Sequence, residues 1–286
     1  MSRAAATFKP DTAKRVLKLF ISCGFLVVLA CARWVRRLLG RELPGTCVIL
    51  YYHAVVASER LRFARQMDTA LRHAQPVRAD FQLPLPVGSR CVSVTFDDGL
   101  VSFVENALPE LRARRIPAAL FVVAGKLGQR PDWAGAADEP YREEGLLGST
   151  GLREIARDVL IGSHSFTHPR LTELSESTAR RELAESRGAL EELLGTKITL
   201  FSFPYGSFDS SLIDWCREAG YRRIFTTLPL PSPSDSEGFV MGRVSAEPSD
   251  WALEFHVKLR GGYQWLPWAF GAKRRLRGLV RVLARG

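Results

Sequence analysis

The chain has 286 residues, 46% of them hydrophobic and 24% charged, with a formal net charge of +10. That composition excludes a disordered chain, and the length permits one large core or two smaller ones. The charge is uneven: residues 1–41 and 258–286 each carry +8, leaving the segment between them at −6. The folded part therefore lacks the basic stripe of a nucleic-acid binder, while the two ends suit anionic lipid.

The first predicted element is the uncharged run Leu19–Ala32, "LFISCGFLVVLACA", with Lys14, Arg15 and Lys18 before it and Arg33, Arg36 and Arg37 after it. Its fourteen residues reach about 21 Å as a helix, short of a hydrocarbon core of roughly 30 Å. Snorkelling of Lys18 and Arg33 lengthens it toward a span. A short anchor, an interfacial helix and a signal peptide all fit the run. The arginine cluster after "ACA" favours an uncleaved membrane helix at about residues 17–37, within a basic segment 1–44. We expect association with a bacterial-type inner membrane; similar basic flanks leave the face unread. Five cysteines without a CxxC pair give neither a disulfide framework nor a zinc ribbon.

From Gly45 the pattern turns to short apolar runs between helical segments. "TCVILYY", "CVSVTF", "PAALFVVA", "DVLIGSH", "ITLFSFP" and "YRRIFTT" read as strands. Phe63, Met67 and Leu71 mark a helix face, and 101–114 reads as a helix with Pro109 as a blemish. Residues 125–151 read as an insertion or long loop, and Leu152–Arg157 as a short helix. Ser175 or Ser177 caps a helix that Gly195 stops, and Ser210–Ala219 forms another. Leu228–Gly238, "LPLPSPSDSEG", is a loop. Strands alternating with helices imply a parallel sheet, and six or seven units in about 210 residues fit an incomplete, distorted β/α barrel over 45–260. The end, 261–286, contains "KRRLRGLVRVLARG", with Leu276, Leu279, Val280 and Leu283 on one face of a basic amphipathic helix suited to a membrane surface.

In parallel β/α folds functional side chains collect at the C-terminal ends of strands. Three polar clusters fall there: Asp97–Asp98–Gly99 after "VSVTF", His164 and His168 in "GSHSFTHP", and Phe203–Gly206, "FPYG". Two histidines four apart can share one side of a helical turn and bind one metal. A carboxylate from another strand end completes a site open to water. One aspartate then serves as ligand, its charge offset by the ion, and the other as general base. Gly99 permits the tight turn between strand and helix.

"TFDDG", "HSFTH" and "FPYG", in this order, resemble the three motifs of the polysaccharide deacetylase family, the NodB-like carbohydrate esterases, over about Val48 to Thr227. "LYYHAV" and "RFARQMD" are similar to the branch of poly-N-acetylglucosamine deacetylases. The resemblance implies a distorted β/α barrel and metal-dependent removal of acetyl groups, foremost N-acetyl, from a polysaccharide or lipid-linked glycan. It makes Asp97 the base, Asp98, His164 and His168 the metal ligands, and the Tyr205 amide N–H an oxyanion donor. Zinc is the expected ion, and cobalt or nickel also fits. In the similar branch the Tyr-His at this place supplies the acid, here His53; the family's C-terminal Leu-x-His motif is absent. Many members carry an arginine three residues before the third-motif tyrosine, to orient the base; Ser202 stands there in this chain. The expected partners are the acetylated glycan, a membrane surface, and polysaccharide synthesis or export machinery, with no nucleic acid. A non-catalytic, membrane-associated glycan-binding descendant is the alternative, and the intact Asp97–Asp98 pair and both histidines favour the enzyme.

Overall fold

The computed structural model describes residues 12–133, 143–230 and 238–270. Six apolar runs form parallel strands where the sequence pattern puts them: β1 (Thr46–Tyr52), β3 (Arg90–Phe96), β4 (Ala118–Val122), β5 (Leu160–Ser163), β6 (Leu200–Ser202) and β7 (Arg223–Phe225). They carry few charges because helices cover them on one side and barrel-interior side chains on the other. The two-residue β2 (Gln75–Pro76) pairs with β3 off the main path.

The sheet closes in a way the sequence pattern does not announce. β8 (Val240–Met241) pairs in parallel with β7, and β9 (Val244–Ser245) pairs in parallel with β1. These two strands are one stretch of chain interrupted by Gly242 and Arg243, so "VMGRVS" joins the last strand of the sheet to the first. Gly242 is required there: a Cβ would lie 2.5 Å from the carbonyl oxygen of Leu230. The result is a distorted barrel with its C-terminal strand ends gathered at one mouth.

Around it lie α2 (Arg60–His73), α3 (Leu108–Ala113), α4 (Ser149–Ile155), α5 (Glu176–Leu194), α6 (Ser210–Glu218) and α7 (Ala252–Leu259). Ser175 caps α5 by accepting the Thr178 amide, and Gly195 ends it in the left-handed region at φ 66°. The helix expected over 101–114 is not uniform. Phe103–Ala107 forms a π-turn that passes into α3, with Pro109 in the first turn of α3. Proline has no N–H to donate to the preceding turn, and the wider π-turn accommodates that gap. Leu50, Phe63, Val94, Phe96, Phe103 and Leu120 are fully buried in the largest apolar cluster, and Trp215 packs against it from the side.

The N-terminal helix α1 (Thr12–Leu38) is longer than the apolar run and is the one helix among the described residues long and apolar enough to cross a membrane. Its 27 residues extend about 40 Å. Arg15, Leu19, Ser22, Leu26 and Arg33, spaced at helical intervals, are its less exposed side. Arg15 donates to Glu254 at 2.6 and 2.8 Å, and Trp265 Nε1 donates to Ser22 Oγ at 2.8 Å. Val16, Leu17, Phe20, Val27, Val28 and Trp34 point away from the barrel. The amphipathic tail expected over 271–286 lies outside the described residues.

Candidate metal centre

The register of β1 against β3 builds the site. Tyr52 stands opposite Phe96, and the Asp97 amide donates to Tyr52 O at 2.9 Å, so the ladder runs one residue into the aspartate pair. Asp98 then turns into the left-handed region at φ 70°, a conformation aspartate tolerates better than most residues. Gly99 follows at φ 84°, where a Cβ would press on Val122 Cγ1 at 2.9 Å. The turn separates the two carboxylates, and both are buried, at 2% and 3% exposure.

His164 and His168 leave the end of β5 and meet the second carboxylate. The Nε2 atoms of His164 and His168 lie 3.5 and 3.4 Å from Asp98 Oδ1. The three candidate ligand atoms fall within 4.8 Å of one another, and all three residues are buried. Their spacing is not produced by a helical turn, as the HxxxH pattern suggested. Residues 164–168 are irregular, with Ser165 and His168 at φ 67° and 65°. Buried Glu182 on α5 holds this turn, accepting from the amides of Phe166 and Thr167 at 2.8 and 2.9 Å and from Thr167 Oγ1 at 2.6 Å. Glu182→Ala is expected to lower metal affinity about 10- to 100-fold, the usual scale for a group that orients a ligand; metal titration of the purified variant checks it.

The donor set fits a divalent cation. Asp98 Oδ1 is buried without a hydrogen-bond partner among the described residues, although two imidazole nitrogens face it. His164 Nδ1 lies 2.8 Å from the Ser202 carbonyl, which accepts only from the tautomer protonated there and so leaves the Nε2 lone pair toward Asp98. Burial pushes His164 down to about 4, against the opposing pull of Asp97, so its imidazole is neutral and ready to ligate. Asp98 is held below the ordinary carboxylate range; burial raises it, and His168, His53 and His164 outweigh that.

Asp97 has a different environment. Arg243 donates to both of its oxygens, Nη1 to Oδ1 and Nη2 to Oδ2, each at 2.7 Å. The same guanidinium donates to Ser202 Oγ at 2.7 Å, to Thr95 Oγ1 at 3.1 Å and, through Nε, to Thr226 O at 3.2 Å. All five of its N–H groups face this enclosure, and the side chain is 0% exposed. Burial alone would raise Asp97, but Arg243, His164 and His53 outweigh it and hold the carboxyl at about 2. The orientation of the aspartate left open by Ser202 is thus supplied by an arginine from the barrel-closing segment. Ser202 has a small side chain that leaves room for the incoming guanidinium and accepts one of its bonds. The sequence reading missed Arg243. Its one signal was a lone cation in the apolar stretch "FVMGRV", a placement that a core tolerates only with a partner.

Tyr205 lies in a turn with left-handed backbone, φ 57°, and its ring meets His168 edge-on at 4.8 Å between centroids. Gly206 after it is at φ 63°, and any Cβ there would collide with Thr227. His53 follows the last residue of β1 and so stands beside the Asp97 corner, close enough to act on both Asp97 and Asp98. His73 and His256 are elsewhere, packed ring against ring at 4.6 Å between α2 and α7. Trp133, which the sequence reading passed over inside the expected insertion, stacks on His168 at 4.2 Å and 29°.

A β/α barrel whose mouth joins a cation-ready cluster to an ionised carboxylate has the equipment of a metal-assisted hydrolase. The polysaccharide deacetylase family model matches residues 85–224, so the chain carries a domain of that family. It is 23% identical over 219 residues to YxkH of Bacillus subtilis, covering 72% of this chain and 74% of that protein. It is 23% identical over 184 residues to the poly-beta-1,6-N-acetyl-D-glucosamine N-deacetylase of Staphylococcus aureus, covering 61% of this chain and 60% of that one. Among solved structures, IcaB from Ammonifex degensii superposes with a TM-score of 0.60 at 24% identity, over 76% of this chain and 98% of that one. The Streptococcus pyogenes deacetylase PplD superposes with a TM-score of 0.59 at 18% identity, over 72% and 94% of the two chains. These likenesses carry the same distorted parallel barrel, and the matched family supports hydrolysis of acetyl groups from glycans.

Proposed function

We propose that this chain is a metal-dependent amide hydrolase that removes N-acetyl groups from a polysaccharide or lipid-linked glycan at a membrane surface. The observation that carries the reading is the pairing of the Asp98–His164–His168 cluster with an adjacent aspartate clamped by Arg243. A divalent cation held by those three residues supplies Lewis acidity, favouring attack by water on the acetyl carbonyl. Two imidazoles and one carboxylate suit zinc, with cobalt and nickel as alternatives.

The chain's own residues then divide the work. Asp97, ionised and fixed in orientation, accepts the proton of the attacking water. The Tyr205 amide N–H donates to the carbonyl oxygen as negative charge develops on it. His53 delivers a proton to the departing nitrogen as the C–N bond breaks, because an amide anion is a very poor leaving group. The products are acetate and a free amine on the sugar. Residues 45–260 form the catalytic unit in this reading, and the apolar outer face of α1 attaches it to the bilayer. Acetate release by metal-loaded protein from a panel of N-acetylated glycans is the direct test. Glycan binding without acetate release would favour the non-catalytic alternative.

His53→Ala is expected to keep its metal and lose about 10²-fold or more in turnover, the usual scale for an acid catalyst. His73→Ala and His256→Ala should stay close to wild type, since those rings pack on each other away from the mouth. Steady-state rates on an amide substrate, with metal content measured in parallel, decide it. Wild-type turnover of metal-loaded His53→Ala would remove the assignment.

A further inference from the structure

Four guanidinium groups meet where the second half of α1 passes the floor of the barrel, opposite the mouth. Arg33 and Arg37 come from α1, Arg90 begins β3, and Arg260 caps α7. With Ala30 and Trp34 they line a cleft of about 430 Å³. Among the described residues, no carboxylate lines it. The charged groups acting on Arg33 are Arg90, Arg260 and Arg37, all cations. Arg260 Nε is buried with no hydrogen-bond partner among the described residues. Other arginines that pack against the fold are neutralised, among them Arg15 by Glu254, Arg114 by Asp68 and Glu110, and Arg243 by Asp97.

Cations gathered without a counter-charge, one with an orphaned buried donor, are the recognition chemistry of a phosphate group. Guanidinium forks match phosphate oxygens in pairs. The surroundings select the source. The cleft opens beside the outward row Val27, Trp34 and Leu38 of α1, exposed at 62, 62 and 65%. An apolar row next to a phosphate-binding cleft matches the two halves of a phospholipid, and tryptophan favours that boundary. We propose that Arg33, Arg37, Arg90 and Arg260 form a binding site for the headgroup phosphate of an anionic lipid, with the acyl chains along the outer face of α1. The inference rests on the reading of α1 as the membrane-facing helix and adds a site with defined partners to it.

The test measures partition of the full chain onto phosphatidylcholine vesicles with and without phosphatidylglycerol. Wild type should prefer the anionic vesicles. Arg90→Gln/Arg260→Gln should lose that preference by about tenfold or more, with unchanged partition onto neutral vesicles. Arg36→Gln/Arg41→Gln removes equal charge from the same end of α1 outside the cleft and should lose markedly less. Equal losses in the two pairs would reduce the effect to diffuse attraction and overturn the site. Stabilisation of wild type by inorganic pyrophosphate, without preference for anionic vesicles, would mark a soluble phosphate ligand and overturn the lipid. Binding to neutral vesicles with no gain from phosphatidylglycerol would leave α1 as a membrane helix and end the headgroup site; binding to neither would end both. Arg90 is exposed at the first residue of β3, so Arg90→Gln alone provides a folded variant that should show a smaller loss in the same direction.

Discussion

Asp97→Asn is expected to lower acetate release by roughly 10²- to 10⁴-fold, the range for removing a positioned base, while metal content stays near wild type. Asparagine keeps the shape of the side chain and one acceptor for Arg243, so the loss is chemical. An amide cannot take the proton of water. Asp98→Ala, His164→Ala and His168→Ala should behave differently and lose metal and activity together, because Asp98 Oδ1 is the point on which both imidazoles converge. Metal analysis beside an acetate assay separates the two classes. If Asp97→Asn also strips the metal, the division of labour between the adjacent aspartates is wrong.

Arg243→Gln should damage both activity and stability, although it replaces neither a metal ligand nor the base itself. It leaves a carboxylate at 2% exposure without its bidentate partner, and breaking a buried pair in this way costs about 3–5 kcal/mol. The sign of the pH effect follows from the shift. In the wild type Asp97 is held at about 2, below the ordinary value of 3.8. The stabilisation this represents is present above the unfolded value and fades as pH falls from about 4 toward 2. Without Arg243, burial acts less opposed and the carboxyl rises. A buried carboxylate without its cation destabilises most where it is charged, so the deficit of the variant should be largest near neutrality and shrink on acidification. The same rise protonates the base at higher pH, so the acid limb of the kcat/KM profile should move up and part of the activity should return as pH increases. Denaturant unfolding across pH and a pH–rate profile test both halves. A variant with lower activity and an unmoved acid limb would show that Arg243 does not tune Asp97.

Most of the site was legible before any coordinates. "TFDDG", "HSFTH" and "FPYG" each follow an apolar run short enough to be a buried strand, and the residues they contribute do meet at one mouth. Periodicity carried the rest of the frame: α5 begins at Ser175 and stops at Gly195 because capping and left-handed backbone are local preferences. The misses have physical reasons too. Glu182 looked like one more charge on an amphipathic helix, since nothing local indicates that two amides of a distant turn point at it. β8 and β9 have two residues each, too few to show any period.

By itself, the sequence determined the barrel class, the two aspartates, the two histidines and the apolar N-terminal helix, because each depends on residue type and spacing within a few neighbours. Only the tertiary structure decided which cation serves Asp97. Arg243 is 146 residues from it along the chain, and it arrives because "VMGRVS" is the segment that closes the sheet against both β7 and β1. Such closure is a long-range pairing, specified by the sum of all the strands, and no window of local sequence contains it.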